Sequence, residues 1–382
     1  DMPHDVYRPE RAKSNGVPGG DVLVNDPDWS SNNPAMTSTL GGDLWIVVED
    51  VRPGSHYLDI YASMNDGYSW IYYISIWGGD LDLTNPSIAI AEGNKNRLLV
   101  AYERGRGTGN AAIYVRYDDL EEGGTTGTVL IESNSVGVFD PQICVDSPEY
   151  PNWWPYLTYT RGVITKQDRY DLVFTRSFDY GDSWQIPTTL ETDVSIAGGP
   201  DIDYGGSNLY IVYPRYVTGY MNDVYVLRSL DLGSSWDSEL VLAHNSQDDT
   251  DPSVAATYGG DAVVVAFTRE YAPTNTDIES FVSEDAGDSW NLSYLPWTSA
   301  LEAKVDLVAS VELGRIHAAF WNEHVIQYTW ANWESPGTWM PAEPINDGGA
   351  AAIGVRPTIA VNPSKAQEAC VAWTDTRIEL QY

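Results

Sequence analysis

The chain is predicted to be all-β, built from four-stranded antiparallel units repeated along its length. Three observations carry that prediction. An eight-residue motif, Ser-x-Asp-x-Gly-x-Ser-Trp, returns four times. A longer repeat surrounds it, opening on an entry that usually contains proline every ~52 to 59 residues, a length that suits four strands and their loops. No stretch of useful length has a helical period, and clusters of Gly, Asp, Asn and Pro interrupt every apolar run.

The motif copies are Ser63-Met64-Asn65-Asp66-Gly67-Tyr68-Ser69-Trp70, Ser177-Phe178-Asp179-Tyr180-Gly181-Asp182-Ser183-Trp184, Ser229-Leu230-Asp231-Leu232-Gly233-Ser234-Ser235-Trp236 and Ser283-Glu284-Asp285-Ala286-Gly287-Asp288-Ser289-Trp290. Each part has a physical task. The Ser and Asp (Asn65 in the first copy) can hydrogen-bond the backbone of their own turn. Gly supplies a positive-φ position in a tight hairpin. Trp70, Trp184, Trp236 and Trp290 can each cover the hairpin with a large apolar face.

The longer repeat starts at Asn33-Pro34, Asn85-Pro86, Asp140-Pro141, Gly199-Pro200, Asp251-Pro252, Lys304-Val305 and Arg356-Pro357. Its second strands read alike: Leu44 to Val48, Leu98 to Tyr102, Tyr156 to Tyr159, Leu209 to Tyr213, Ala262 to Phe267, Ile316 to Phe320 and Glu368 to Trp373. Seven entries imply a seven-bladed β-propeller of four-stranded antiparallel blades. The last repeat stops after its third strand, Ile378 to Tyr382, while Asp21-Val22-Leu23-Val24 precedes the first entry where other blades carry a fourth strand. The expectation is a ring closed by this N-terminal strand, which removes exposed sheet edges. Two repeats carry degraded motifs, Asp118 to Gly124 and Trp330 to Trp339, that keep their turn chemistry.

The four motif copies resemble the Asp-box, or BNR repeat, of sialidase-like β-propellers. The resemblance implies a propeller. It implies little about activity, because the motif staples a hairpin. Sialidases of this kind usually have six blades, so the count departs from the enzymes. Asp-box propellers are mostly extracellular or periplasmic. A chain beginning at Asp1, with no run long enough for a transmembrane helix, matches an expectation of secretion to the cell surface or beyond.

Two regions follow: an N-terminal extended arm over residues 1–20 and the propeller over 21–382. The arm contains Pro3, Pro9, Pro18 and Gly19-Gly20, a composition that predicts flexibility unless something ties it down. It can lie along its own propeller or dock on a neighbouring copy. With 43% hydrophobic residues, 15 Trp and 25 Tyr, the core is ample. The net charge of −34 repels nucleic acid and anionic membranes. Cys144 and Cys370 fall in blades that are not neighbours, so free thiols are expected.

Candidate chemistry centres on arginines that follow the second strand: Arg104, Arg161, Arg215 and Arg269, with Arg356 at the last entry. Guanidinium groups over a funnel would suit a carboxylate ligand. Sialidases grip their substrate carboxylate with an arginine triad, so the resemblance implies a ligand role for these five. Third strands, however, carry Asp59, Asp171, Asp223 and Asp277 near their starts, and a repeated Arg–Asp pair reads as loop stapling. The enzymes' Phe/Tyr-Arg-Ile-Pro element has only partial echoes in Tyr7-Arg8-Pro9 and Val355-Arg356-Pro357. They also need a Tyr nucleophile, a Glu and an Asp acid/base. The best local cluster is Arg269-Glu270-Tyr271, and no catalytic residue is singled out.

Five histidines show no zinc-type pairing. Gln247 to Asp251 and Asn25 to Asp28 are oxygen-rich stretches that could hold calcium, although no cofactor is required. Trp153, Trp154, Trp297, Trp330 and Trp333 could stack on sugars or pack between blades. The sequence favours a secreted, non-catalytic binding or assembly module, partnered by itself through residues 1–20 or by an extracellular glycan. The alternative is a sialidase-like glycosidase or a lectin for anionic glycans.

Overall fold

The computed structural model describes residues 22, 24, 30–52, 55–146, 152–163, 169–217, 221–272, 275–296, 298, 300–310, 314–332, 334–346, 351, 356–362 and 369–374. These residues form strands, turns and loops and no helix. The closing strand expected at 21–24, its partner at 378–382 and the arm at 1–20 fall largely or wholly outside the described residues.

The first sheet contains β1 (Ser30–Ser38), β2 (Leu44–Arg52), β3 (Ser55–Ser63) and β4 (Ile71–Trp77), and the second β5 (Leu83–Glu92), β6 (Asn96–Arg104), β7 (Ala111–Asp119) and β8 (Thr126–Asn134). Next come β9 (Val138–Val145), β10 (Pro155–Gly162), β11 (Tyr170–Arg176) and β12 (Thr188–Val194). They are followed by β13 (Asp201–Gly205), β14 (Asn208–Val217), β15 (Met221–Ser229) and β16 (Leu240–Val241). The sequence expects two units over this stretch, but β9–β16 form one eight-stranded sheet. A single residue pair, Val194 with Arg215, joins its two halves through β12 and β14. Two further four-stranded sheets are β17 (Asp248–Ala256), β18 (Val263–Ala272), β19 (Asn275–Ser283), β20 (Asn291–Ser293), and β21 (Glu302–Ala309), β22 (Arg315–Asn322), β23 (Val325–Asn332), β24 (Glu343–Pro344). The last described sheet pairs β25 (Thr358–Val361) with β26 (Ala369–Ala372).

All pairings are antiparallel, and four sheets stand apart as four-stranded units in a propeller arrangement. Their first strands neighbour one another in order: β1 lies beside β5, β5 beside β9, β9 beside β13, β13 beside β17, β17 beside β21, β21 beside β25, and β25 beside β1. Apolar residues fill the spaces between sheets. Leu58 and Ile60 meet Ile88 and Leu98, for example, and Val264 and Ile278 meet Leu307 and Phe320. Val24 packs against a cluster of Met36, Leu44, Ile46, Val48, Tyr61 and Ala360, which joins the first and the last sheet.

The motif turns are built as their residue types dictate. In the third copy, Asp231 Oδ1 accepts the backbone N–H of Ser235 at 2.7 Å and Asp231 Oδ2 its hydroxyl at 2.7 Å. Ser229 Oγ accepts the Gly233 N–H at 2.7 Å. Asn65 plays the same part in the first copy, with Oδ1 accepting from Ser69 N at 3.0 Å. The residue before each Gly is also left-handed (Asp66, Tyr180, Leu232 and Ala286, φ 56 to 61°), which the motif does not advertise.

The turns also fasten each four-stranded unit to the one before it, within the eight-stranded sheet as well as between sheets. A Cβ on Gly233 (φ 80°) would sit 2.5 Å from the Phe174 ring, and one on Gly181 (φ 88°) 2.9 Å from Leu99. Trp236 meets the Phe174 ring edge-on at 5.0 Å. An arginine of the preceding four-stranded unit donates to the carbonyl of the left-handed residue: Arg97 to Tyr180 (3.2 Å), Arg228 to Ala286 (2.8 Å) and Arg176 to Leu232. At the first copy, the Cys370 thiol faces the Asp66 carbonyl at 3.8 Å. Both cysteines are half-buried, and among the described residues they do not pair with each other.

Candidate functional site

The entry residues gather where the first strands meet. Asn33, Asn85, Asp140, Asp251 and Lys304 all have φ between 44 and 60°, and the strand register slips beside each of them. Such bulges re-aim a side chain out of the ladder. At the fourth entry Gly198 and Gly199 are needed for space. A Cβ on Gly198 would lie 2.4 Å from Asp251, and one on Gly199 2.7 Å from Asp140.

The re-aimed groups bond both within their own sheet and across to the next. Asn33 Nδ2 donates to Glu49 Oε1 (2.9 Å), and Asn85 Nδ2 to Glu103 Oε1 (2.8 Å) and Asp140 Oδ1 (2.9 Å). The Asp140 N–H donates to Glu103 Oε1 at 2.6 Å, and Lys304 Nζ to Asp251 Oδ1 at 2.5 Å. Arg106 reaches Glu103 at 3.3 Å and Asp140 at 3.5 Å. Burial, reinforced by the charge of Asp140, lifts the Glu103 carboxyl to about 7, although Arg106 and two N–H donors pull the other way. Burial also raises Asp140, with Asp251 adding to the effect and Arg106 and Arg356 opposing it. Glu103 and Asp140 therefore resist being ionised together.

A second layer is repetitive. The residue two places after an entry accepts the N–H three places after the next entry. Ser87 Oγ accepts from Ile143 (3.1 Å), Asp201 Oδ2 from Val254 (3.0 Å), Ser253 Oγ from Leu307 (3.1 Å), Asp306 Oδ2 from Ile359 (2.9 Å) and Thr358 Oγ1 from Met36 (3.1 Å). These bonds hold neighbouring sheets in register. The entry ring, in contrast, is chemically mixed: two amides, two acids flanking a glycine, a lysine and an arginine. Such a mixed-charge surface can meet a polar ligand with both donors and acceptors.

The repeated arginines do not share partners. Arg104 donates to the Gly78 carbonyl at 3.0 and 2.9 Å. Arg161 pairs with Glu132 (3.1 Å) and Asp171 (3.2 Å). Arg215 pairs with Glu239 and lies 4.0 Å from Glu191. Arg269 makes a two-point contact with Asp249, at 2.8 and 3.0 Å, and reaches Glu279 at 3.4 Å. Only Arg161 takes the third-strand Asp that the sequence suggested. Asp59 goes to Arg52, and Asp223 to His244 Nδ1 at 2.6 Å, because other donors lie nearer. Arg356 stands apart: it donates to the Pro252 carbonyl at 3.1 Å and acts electrostatically on Asp140, Asp201 and Asp306 in the entry region.

In the Arg269-Glu270-Tyr271 cluster, Glu270 is exposed, and the Tyr271 hydroxyl donates instead to Glu279 Oε1 at 2.6 Å. Related pairs join Tyr159 to Glu132 and Tyr213 to Glu239 (2.6 Å). Burial, reinforced by those carboxylates, pushes both phenols upward, the wrong direction for a nucleophile.

In Gln247 to Asp251, each carboxylate has its own donor: Asp248 takes Asn222, Asp249 Arg269 and Asp251 Lys304. Among the described residues no group of three or more His, Cys, Asp or Glu side chains is arranged to hold a metal. Trp153 is buried in a core cluster, Trp154 lies against Phe178 at 4.4 Å, and Trp330 lies under Arg315 at 3.8 Å. Trp297, Trp333, Tyr7 and Asn25 to Asp28 lie outside the described residues.

No family model matches the chain, and no curated protein matches it. Solved structures do. An ulvan lyase, described as a polysaccharide lyase and solved with a GlcA-Rha3S saccharide, has a TM-score of 0.57 at 12% identity, covering 87% of this chain and 88% of that one. The leech intramolecular trans-sialidase gives 0.53 at 10% identity, covering 86% and 69%. The NanB sialidase of Streptococcus pneumoniae gives 0.48 at 13%, covering 97% and 69%. At these identities the likeness to the first two is one of fold, the propeller arrangement of antiparallel sheets.

Proposed function

We propose that the protein is a secreted, non-catalytic Asp-box propeller that serves as an extracellular binding or assembly module. The observation that carries the reading is the state of the four second-strand arginines. Each is engaged within its own sheet or by the adjoining backbone, three of them by carboxylates, so a ligand carboxylate would have to displace internal partners. The net charge of −34 adds long-range repulsion against anionic polymers. In this reading residues 1–20 are an arm and 21–382 a seven-bladed ring. The order of first-strand neighbours supports the count, and the seat of Val24 between the first and last sheets supports closure by the N-terminal strand.

The partner is a second copy, reached through residues 1–20, or an extracellular glycan. The reading involves no nucleic acid, no insertion into a membrane and no required cofactor. Calcium added during a melting experiment tests the acidic stretches. Light scattering on the chain with and without residues 1–20 tests assembly. The expected result is a species heavier than the 42.2 kDa chain that reverts to single-chain mass on deletion. An unchanged mass would remove the arm from assembly.

One observation favours a sialidase-like glycosidase or lectin instead. Tyr271, 44% exposed, donates to Glu279 beside Arg269, a phenol, carboxylate and guanidinium in mutual reach. The fold likeness to an ulvan lyase and a trans-sialidase points the same way. Turnover of a sialoside or uronic-acid polymer, abolished by Tyr271→Phe in a folded protein, would replace the first reading.

A further inference from the structure

The first sheet ends on the longest outer strand that lacks a charged residue. β4, Ile71-Tyr72-Tyr73-Ile74-Ser75-Ile76-Trp77, has no charged residue. The outer strand β8 carries Glu132, β12 carries Glu191 and Asp193, and β24 carries Glu343, while the charge-free β16 and β20 are only two and three residues long. Ile71 is 55% exposed and Trp77 65%, and Met64, Tyr68, Tyr72 and Tyr73 add exposed apolar surface around them. Among the described residues no strand lies beyond β4. Sheet edges are normally blunted by charge or proline, because a bare row of N–H and C=O groups recruits another strand. A long apolar edge without such protection is a docking surface.

We propose that the β4 edge receives the N-terminal segment of a second copy, with His4-Asp5-Val6-Tyr7-Arg8 added as a strand. This deepens the assembly reading and rests on it. Twenty-one residues precede Val22, and Val24 is seated beside the first and last sheets, so the segment starts from the body of the molecule with length to reach a neighbour. His4 to Arg8 is free of proline and bounded by Pro3 and Pro9. At ~3.3 Å per residue it spans about 17 Å, against about 23 Å for β4.

Charge selects the same two pieces. Residues 1–20 hold Arg8, Arg11 and Lys13 against Asp1, Asp5 and Glu10, a balance of zero, so the remaining residues carry the whole −34. Two such bodies repel at most contacts. A neutral arm on a charge-free strand is the contact with least repulsion. Backbone bonds would supply affinity, and Val6 or Tyr7 packing on Ile71, Tyr73 or Trp77 would supply specificity. An interface of one short strand belongs to the weak class, below about 1,200 Å².

The test is light scattering of the full-length chain from ~1 µM to ~1 mM, a range suited to a weak contact. Four proteins are compared: wild type, the edge variant Ile71→Lys/Trp77→Lys, the arm variant Val6→Asp/Tyr7→Asp, and Ile186→Lys. The last changes an exposed isoleucine remote from β4 in the chain and controls for added charge. The expected result is concentration-dependent assembly in wild type and Ile186→Lys, weakened at least ~tenfold in the edge and arm variants, with all four melting alike.

Assembly lost in the arm variant but kept in the edge variant would overturn β4 as the receptor while leaving the assembly reading standing. Loss in the edge variant alone would overturn the arm as occupant in favour of edge-to-edge pairing. A wild type that stays at single-chain mass throughout would overturn both the docking and the assembly reading.

Discussion

Arg97 shows how a single side chain can serve two sheets at once. It is fully buried, yet it bonds Asp119 of its own sheet at 2.6 Å and Asp182 of the next at 2.6 Å, under the Tyr117 ring at 4.2 Å. Burial alone would raise Asp119, but hydrogen bonds from Arg97 and Thr125 prevail and hold its carboxyl at about 2. Arg97→Ala is expected to cost about 3 kcal/mol, because it takes the buried cation from two carboxylates, leaving Asp119 only the Thr125 donors and Asp182 only Lys95. Urea unfolding measures this, and a loss under about 1 kcal/mol would show the pair to be solvent-screened. Sequence reasoning chose other arginines, those repeated after the second strand. Arg97, Arg176 and Arg228 escaped notice because their partners lie 83, 56 and 58 residues downstream, on the turn of the next four-stranded unit. What was visible instead, a positional repeat of arginine, proved to have four different sets of acceptors.

At the scale of elements, the eight-residue turns were legible because their internal partners lie within four residues of one another. The acceptor that matters most is Asp231 Oδ1, and an amide oxygen can replace it, as Asn65 does in the first sheet. Asp231→Asn is therefore expected to cost less than half as much as Asp231→Ala. The alanine change should cost about 1–2 kcal/mol, since it frees three donors, the Ser235 N–H and the hydroxyls of Ser229 and Ser235. Equal losses in the two variants would mean that charge, not geometry, holds the turn. The entries were half legible. Proline marked six of the seven entries, lying inside β1, β5, β9 and β17 beside the bulge, but the left-handed residue before it is unusual for an L side chain and was not anticipated at Asn33, Asn85 or Asp140. The strand-to-strand bonds made by Ser87, Asp201, Ser253, Asp306 and Thr358 were invisible, because the fold alone brings their partners near.

At the scale of the whole molecule, buried acids set the pH response. Burial is the first cause that raises Asp146, Asp203 and Glu302 to about 7, and Asp249 and Asp306 to about 6, alongside Glu103. An acid held above its unfolded value contributes stability that is complete below about pH 4 and is lost as pH rises through 6 to 7. His317 opposes this: burial, aided by Arg315, lowers it to about 4, so its contribution fades as pH falls below 6.5. Asp231 and Asp285, held low by hydrogen bonds from Ser235 and Ser289, lose theirs below their ordinary range. The acids outnumber the histidine, so the melting temperature should be higher at pH 5 than at pH 8 and fall again below about pH 3.8. A flat or rising profile from pH 5 to 8 would show these acids to be hydrated. Composition announced a highly acidic protein, but it could not say which acids lie between sheets.

The seam between the last and first sheets has a consequence for the newborn chain. Thr358 meets Met36 across 322 residues, and Ala360, Cys370 and Ala372 cover Leu44, Ile46 and Val48. A ribosome adds about 5–20 residues per second, so the opening sheet waits on the order of 20–60 s for the segment that shields its flank. Throughout that interval the growing polypeptide displays a greasy strip with nothing yet synthesised to hide it. Its escape from aggregation then depends on chaperone shelter until translation reaches the final strands.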